Sequence, residues 1–225
     1  MRVESAIKDA FLKLKKKKIN SALLDSEILM SKAINKNREF IILNLQQELN
    51  KDDYFYFKEL INERSKGKPI AYLTGKKSFW KYDFEINENV LIPRPDTEIL
   101  VEQVLNIYKN KRNLNLLDIG SGSGCILLSI LKEKKHFYGT CIDLSNECLK
   151  ISKINADKLG IKNRIKFFKS DIDNFTYGKY DLIVSNPPYI KKLDLKYLEK
   201  DVIGFEPKCA LDGGVDGISE IRKIV

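Results

Sequence analysis

Residues 114–124 read LNLLDIGSGSG and decide the fold, because an apolar strand ends there in a glycine-rich turn that leads into a helix. Beyond this stretch, short apolar runs typical of strands keep alternating with amphipathic runs typical of helices. Strands alternating with helices favour a parallel sheet with right-handed crossovers, so the sequence predicts an α/β, Rossmann-like domain. We expect strands at 114–119, 137–142, 165–168 and 180–185, and helices at 125–132 and 146–158.

The first third of the chain is expected to be helical. Apolar residues recur at helical spacing over three segments, 3–16, 21–34 and 51–64. A further helix is predicted from Glu98 to about Lys109, after Pro93 and Pro95 end the preceding strand. The residues expected to cap helices are Ser21, Asp52 or Asp53, Asp96 or Thr97, and Ser145.

A β-hairpin is expected between these two parts of the chain. Apolar and polar residues alternate from Phe79 to Ile92, after a break in the helical pattern at Gly67-Lys68-Pro69. The predicted organisation is therefore a helical domain over 1–68, a β-hairpin connector over 69–92 and the α/β domain over 93–225.

The composition indicates a folded chain with an excess of positive charge. Hydrophobic residues make up 43% of the sequence, which argues against disorder, and the net charge is +9. One interpretation of this charge is a polyanionic partner such as nucleic acid. The other is a background bias, because the whole chain is rich in lysine, asparagine and isoleucine.

Several classes of protein are excluded by the same pattern. No apolar run approaches the roughly 18 residues that a membrane-spanning helix requires, and the first residues include Glu4, Lys8 and Asp9. We therefore expect a soluble, unsecreted, cytoplasmic chain. The four cysteines have no C-x-x-C spacing and His136 is the single histidine, so we expect reduced thiols and no metal site.

The carboxyl ends of parallel strands meet at one edge of a sheet, where ligands bind. Gly120, Gly122 and Gly124 follow the first strand, and glycines there permit a tight turn and a close approach of a ligand to the backbone. Their spacing differs from G-x-G-x-x-G, which argues against a pyrophosphate cofactor. Asp143 ends the second strand, where it can accept hydrogen bonds from ribose hydroxyls or act as an ordinary helix N-terminal carboxylate.

The other two strand ends extend this pattern. Ser170-Asp171 ends the third strand and is suited to receive the exocyclic amine of adenine, so the three ends together predict a pocket for a nucleoside with a non-phosphate tail. The fourth strand ends in Asn186-Pro187-Pro188-Tyr189. Because the prolines favour extended backbone, the Asn186 side-chain oxygen and the Pro187 carbonyl can both accept hydrogens from a planar NH₂ group, beside which Tyr189 can stack.

Five blocks of this chain form a recognisable set, namely Leu91-Ile92-Pro93-Arg94-Pro95-Asp96-Thr97-Glu98, 118–124, Ser170-Asp171, Asn186-Pro187-Pro188-Tyr189-Ile190 and Glu206-Pro207-x-x-Ala210-Leu211-x-Gly213-Gly214-x-Asp216-Gly217. The set resembles the HemK/PrmC family, the N5-glutamine methyltransferases of peptide-chain release factors, over essentially the whole chain. The Asn-Pro-Pro-Tyr motif is shared with adenine N6-methyltransferases, whereas the Ile-Pro-Arg-Pro and Glu-Pro blocks narrow the resemblance to this family.

The resemblance implies an S-adenosylmethionine-dependent enzyme whose acceptor is the glutamine of the Gly-Gly-Gln motif in class I release factors. It also implies that the basic helical domain contacts the release factor rather than nucleic acid. The donor would be bound by Gly120, Ser121, Gly122, Ser123, Gly124, Asp143, Asp171, Ile172 and Asn186. The glutamine amide would be held by Asn186, Pro187, Pro188 and Tyr189, of which Asn186, Pro187 and Tyr189 would serve the reaction. Many relatives carry tryptophan where this chain has Ile172.

Two features leave alternatives open. The chain ends at Val225 inside a helix expected to start near Gly217, whereas the family continues with further strands. We therefore expect a C-terminally shortened domain, with the strand 180–185 as an apolar edge. An adenine N6-methyltransferase acting on nucleic acid, or a non-catalytic copy that only binds donor or partner, are the alternative functions. Arg94 is expected either to meet a ligand carboxylate or to form a structural salt bridge.

Overall fold

The computed structural model describes all 225 residues and divides them into two compact units. The helical unit consists of residues 1–74 and 200–205, and the sheet unit consists of residues 75–199 and 206–225. Among the helices of the chain, none is both long enough and apolar enough to span a lipid bilayer.

The helical unit begins with five helices around a core of its own. Three of them confirm the helices predicted from the apolar periodicity, whereas the six-residue α3 was not predicted because it is too short to show a period. Pro69 lies just before α5, where the missing amide hydrogen of a proline is tolerated, so the start of the expected hairpin connector is helical. The helices are α1 (Val3–Lys16), α2 (Ala22–Ala33), α3 (Arg38–Leu43), α4 (Lys51–Ser65) and α5 (Ile70–Thr74).

The helix caps differ in part from the prediction. Ser145 accepts a hydrogen bond from the Cys148 amide, as predicted. Ser21 makes no side-chain bond to its helix. The predicted cap of α4 at Asp52 or Asp53 is wrong, because α4 already begins at Lys51 and the preceding Asn50 accepts from the Asp53 amide at 2.7 Å.

The sheet unit confirms the predicted alternation of strands and helices. Its strands are β1 (Lys76–Phe79), β2 (Tyr82–Glu85), β3 (Asn115–Ile119), β4 (Tyr138–Asp143), β5 (Ile165–Lys169) and β6 (Leu182–Ser185). Its longer helices are α6 (Glu98–Ile107), α7 (Cys125–Glu133) and α8 (Asn146–Lys158). The short helix α9 (Lys200–Phe205) belongs to the helical unit, and α10 (Ser219–Ile224) forms near the predicted position at the end of the chain.

Strands β1 and β2 pair antiparallel, and the other four form one sheet in the order β5-β4-β3-β6 with every pair parallel. The chain moves outward from β3 through β4 to β5 and then returns to place β6 on the other side of β3. The order therefore reverses between β3 and β6. In open α/β sheets the ligand crevice lies at the carboxyl ends of the strands at such a reversal.

Both faces of the sheet carry apolar side chains. On one face, Leu116, Cys141 and Val184 pack with buried residues of α6, α7 and α8. On the other, Leu117, Ile119 and Ile142 form a smaller cluster with side chains from the segment after β5 and with Ile224. β6 is an edge strand, as predicted, and Ile183 on it is half exposed.

Candidate active site

The glycine-rich loop between β3 and α7 folds back onto the end of β4. The amides of Gly120 and Ser121 both donate to the carbonyl oxygen of Ile142, at 2.9 and 3.1 Å. Gly120, Gly122 and Gly124 have φ angles of +70°, +55° and +78°, which only glycine adopts without strain. The three glycines are therefore required by the backbone path of the loop.

Asp143 holds this loop from the neighbouring strand. Its carboxylate accepts from the Gly122 amide at 2.9 Å and from the Ser145 amide at 2.8 Å. The second contact places Asp143 at the start of α8, which is the alternative that the sequence left open. Each oxygen accepts one of these bonds and retains a lone pair, so the same carboxylate is still able to accept from a ligand.

Two polar side chains of α8 hold the loop from behind, and sequence reasoning missed both. Ser152 donates to the carbonyl oxygen of Gly122 at 2.8 Å, and Asn155 donates to that of Ser123 at 2.9 Å. Both side chains are buried on the inner face of an amphipathic helix. Buried polar residues need hydrogen-bond partners. Their position on the apolar face of a predicted helix was therefore the sequence feature by which Ser152 and Asn155 could have been identified.

Asp118 lies at the end of β3 beneath the same loop and is fully buried. Neither oxygen of its carboxyl group has a hydrogen-bond partner. Burial, followed by the nearby negative charge of Asp143, raises the pKa of Asp118 to about 7, against a smaller opposing effect of the Leu127 backbone amide. Burial also raises the pKa of the Cys125 thiol to about 12, so this neighbour remains neutral and adds no second negative charge beside Asp118.

The end of β5 places two predicted residues at the same edge. The Asp171 carboxylate accepts from the backbone amide and from the side-chain amide of Asn174, both at 2.8 Å, and so closes a turn. Ile172 packs against the apolar cluster on the second face of the sheet. The carboxylate of Asp171 thus closes its own loop, but its second oxygen accepts only one bond, from the Asn174 side chain at 2.9 Å, and the residue faces the crevice.

The end of β6 carries two free hydrogen-bond acceptors. The Asn186 side-chain nitrogen donates to the Thr97 hydroxyl at 3.1 Å, whereas its side-chain oxygen has no protein partner. The Pro187 carbonyl oxygen is likewise not used by any protein donor. Tyr189 is 63% exposed, so its ring packs little on its surroundings.

The chain beyond α9 supports this motif from the side. The Ile190 amide donates to the Leu211 carbonyl oxygen at 3.2 Å, and the Gly213 amide donates to the Ile190 carbonyl oxygen at 2.8 Å. A side chain at Gly213 would come within 2.8 Å of the Pro188 carbonyl oxygen, so only glycine permits this approach. The Gly213-Gly214 block therefore fixes the path of the chain that follows the two prolines.

Arg94 forms a salt bridge within the sheet unit. Its guanidinium donates to the Glu206 carboxylate at 2.6 Å, and the other oxygen of Glu206 accepts from the Ile92 amide at 3.3 Å. Glu206 is buried and Arg94 is half-buried. Of the two roles expected for Arg94, the structural salt bridge is the one observed.

A cavity of about 660 Å³ lies at the carboxyl edge of the sheet, where β3 and β6 meet. It brings together eight of the residues predicted for the site, namely Gly120, Gly122, Asp143, Asp171, Ile172, Asn186, Pro187 and Pro188. It is also lined by residues of the last segment that the sequence did not assign, among them Pro207, Cys209, Ala210, Lys223 and Ile224. Four predicted residues do not line it: Ser121, Ser123, Gly124 and Tyr189. A second cavity, of about 460 Å³, lies at the amino ends of the strands and holds none of the predicted residues.

Comparison with known proteins agrees with the two-part organisation. Residues 5–75 match the family described as the PrmC N-terminal domain, and residues 95–203 match the methyltransferase small domain. A release factor glutamine methyltransferase of Leptospira interrogans is 45% identical over 202 residues, which are 88% of this chain and 71% of the relative. Another, of Clostridium acetobutylicum, is 38% identical over 100% of this chain and 80% of its own length.

Among solved structures, the hMettl16 catalytic domain in complex with a 3'UTR hairpin superposes with a TM-score of 0.51 at 16% sequence identity. The superposition covers 62% of this chain and 54% of that one. At this level of identity the likeness concerns the fold alone, and it agrees with a methyltransferase domain built on a parallel sheet.

Proposed function

The chain belongs to the release factor glutamine methyltransferase family, and from this membership we propose that it transfers a methyl group from S-adenosylmethionine to the N5 atom of a glutamine side chain. The acceptor is the glutamine of the Gly-Gly-Gln motif in a class I peptide-chain release factor. The proposal rests on one observation. The glycine loop after β3 and the two free acceptors at the end of β6 line the same cavity.

The residues that line the proposed donor pocket fit S-adenosylmethionine. The cavity is large enough for a nucleoside with an amino-acid tail. Apart from the adjacent residues of the loop, no atom lies within 4 Å of the positions where side chains at Gly120 and Gly122 would begin. The unpartnered carboxyl group of Asp118 lies directly beneath this loop. We assign the methionine moiety to the loop 120–124, the ribose to Asp143 and the adenine to Asp171 with Ile172. When bound, the donor supplies an electrophilic methyl group on a sulfonium centre.

The acceptor subsite consists of Asn186 and Pro187. A primary amide offers two hydrogens, and the Asn186 side-chain oxygen together with the Pro187 carbonyl oxygen offers two acceptors. An amide nitrogen is a poor nucleophile because its lone pair is delocalised, so orientation supplies much of the acceleration. Tyr189 is exposed beside these two residues, and we assign it to packing against the incoming glutamine.

No strong general base is part of this proposal. His136, the single histidine, lies in the turn before β4, at the opposite end of the strand from the cavity. Asp118 is fully buried and does not line the cavity. Once methylated, the amide nitrogen carries an acidic proton, which is released to water after the methyl group has been transferred.

The partner is proposed to be a protein rather than a nucleic acid. The relatives that match this chain over most of its length are named as release factor methyltransferases, which disfavours the adenine N6-methyltransferase alternative. We assign recognition of the release factor to the helical unit and methyl transfer to the sheet unit. A cytoplasmic location follows from this substrate.

The variant Asn186→Ala separates the two halves of the site. It removes one acceptor for the glutamine amide, so methyl transfer to the release factor should fall to background while the dissociation constant for S-adenosylmethionine changes less than about threefold. Asn110→Ala, at an exposed position after α6, is the matched control. Equal loss of donor binding and methyl transfer in Asn186→Ala would place Asn186 in the donor pocket and overturn its assignment to the acceptor.

A further inference from the structure

Thr97 stands at the N-terminal boundary of α6, where threonine ordinarily caps a helix. The sequence predicts this role for Asp96 or Thr97, and for both the structure differs. Thr97 has helical dihedral angles, φ −70° and ψ −17°, and neither side chain makes a cap hydrogen bond to α6. The Thr97 hydroxyl accepts instead from the side-chain nitrogen of Asn186, at 3.1 Å.

The side chain that Thr97 contacts in place of its helix belongs to the acceptor subsite. Residues that give up a local interaction are often held for function. Thr97 and Asn186 are 89 positions apart in the chain, and both lie in the sheet unit. Their contact joins the segment before α6 to the end of β6.

In this contact the Asn186 amide is turned with its nitrogen toward Thr97. The oxygen and nitrogen of a primary amide have nearly the same shape, and a hydroxyl can bind either of them. The amide is therefore held in place by Thr97, and the partner on its other side selects the orientation. With the nitrogen donating to Thr97, the oxygen of Asn186 is left without a protein partner. The reverse orientation would present an NH₂ group to the NH₂ group of an incoming glutamine, and two donors do not bind each other.

Thr97 itself is held firmly on both sides. The prolines at 93 and 95 restrict the backbone before it, and Arg94 is bound to the buried Glu206 at 2.6 Å. Immediately after it, the Glu98 carboxylate accepts from the Trp80 amide at 2.8 Å. The backbone on both sides of Thr97 is therefore held in place.

We propose that Thr97 is a positioning residue that holds the Asn186 amide at the acceptor subsite, where its oxygen is free to accept from the glutamine amide. This inference rests on the function proposed above. Thr97 does not line the cavity, so it acts through Asn186 and not on the substrate directly.

The experiment compares Thr97→Val, which keeps the shape but removes the hydroxyl, with Thr97→Ser, which retains it. Steady-state methylation of a release factor gives kcat and KM, calorimetry gives the dissociation constant for S-adenosylmethionine, and thermal denaturation gives Tm. Thr176→Val, at an exposed position between β5 and β6, is the matched control.

We expect Thr97→Val to lower kcat about tenfold, which is the effect of losing one orienting hydrogen bond. Its KM for the release factor and its donor dissociation constant should stay within about twofold of wild type. Thr97→Ser should recover most of the loss, and Thr176→Val should match wild type. The Asn186 side-chain NH₂ resonances, assigned by their absence in Asn186→Ala, should shift in Thr97→Val and not in Thr176→Val.

Unchanged kcat in Thr97→Val, or an unshifted Asn186 NH₂ signal, would overturn the inference. Equal impairment of Thr97→Val and Thr97→Ser with a lowered Tm in both would reduce Thr97 to a structural residue and also overturn it. A wild-type protein that binds the donor but leaves the release factor unmethylated would refute the proposed function itself. That result is distinct, because it does not depend on any change at Thr97.

Discussion

The side chain of Asn155 on α8 bridges two separate parts of the sheet unit. Its amide nitrogen donates to the carbonyl oxygen of Ser123 at 2.9 Å and to that of Glu85 at 3.0 Å, while its oxygen accepts from the Glu85 amide at 2.7 Å. One buried side chain thus fixes both the end of β2 and the glycine loop. The shape of the glycine loop therefore depends on α8, although Asn155 itself does not line the cavity.

Replacing Asn155 should therefore weaken donor binding as well as stability. Asn155→Ala leaves the buried carbonyl of Ser123 and the amide of Glu85 without partners, which we expect to lower the free energy of unfolding by about 2 kcal/mol. Calorimetry should show an S-adenosylmethionine dissociation constant raised about tenfold at a temperature where the variant remains folded.

The control for this prediction lies on the same helix. Lys150 is exposed and pairs only with Glu147, one turn earlier, so Lys150→Ala should leave both quantities unchanged. A full loss of stability in Asn155→Ala with wild-type donor affinity would show that the loop keeps its shape without this contact.

Gly124 and Gly160 provide a matched pair for the steric argument. Both have positive φ, +78° and +69°, but a Cβ at Gly124 would lie 2.8 Å from a Leu128 methyl carbon whereas none of the protein lies within 4 Å of one at Gly160. Gly160→Ala should lose about 1 kcal/mol from backbone strain alone. Gly124→Ala should lose clearly more in urea denaturation and should also weaken donor binding; equal losses would contradict the steric contribution.

The raised pKa of Asp118 predicts that the stability of the protein depends on pH. Its pKa is raised from 3.8 to about 7 in the folded state, so between these values the folded protein keeps a proton that the unfolded chain has released. The free energy of unfolding therefore falls as the pH rises from about 4 to about 7, by about 1.4 kcal/mol for each pH unit, and stays lowered at higher pH.

Asp118→Asn cannot ionise and should escape this loss. The difference in Tm, variant minus wild type, should increase between pH 5 and pH 8 in thermal melts at constant ionic strength. Asp9→Asn, at an exposed position in α1, is the control and should show no such trend. A difference that is constant with pH would mean that Asp118 is ionised throughout this range.

Arg94 should contribute to stability and not to donor binding. Arg94→Ala leaves the buried Glu206 carboxylate with only the Ile92 amide, which we expect to lower the free energy of unfolding by about 2 kcal/mol. The donor dissociation constant should remain unchanged, because Arg94 does not line the cavity. The double variant Arg94→Ala with Glu206→Gln should lose less than the sum of the single losses. If the losses in the two single variants simply add in the double variant, the ion pair does not contribute to stability.

The sequence was sufficient where local pattern determines structure. The strands β3 to β6, the helices between them and the Ser145 cap depend on apolar period, glycine position and one hydroxyl, all within a few residues of each other. The carboxyl edge of the sheet then follows from parallel pairing, which is why residues from all four strand ends line one cavity.

The contacts that orient these residues could not be found in this way. The sequence predicts Asp96 or Thr97 as the cap of α6, and no local signal marks the contact of Thr97 with Asn186, which is remote in sequence. Ser152 and Asn155 bind backbone carbonyls of a loop about 30 positions earlier. The lining contributed by Pro207, Cys209 and Ala210 depends on the return of the chain after α9, which no periodicity encodes.

The central claim is that the protein uses this cavity to transfer a methyl group to the side-chain amide of a glutamine in another protein. The most direct test is transfer of labelled methyl from S-adenosylmethionine to a purified class I release factor, beside a Gln→Ala version of its Gly-Gly-Gln motif and a duplex DNA. We predict label on the intact release factor alone. Label on the DNA, equal label on the Gln→Ala factor, or no label on any acceptor by a protein that binds the donor would contradict the claim.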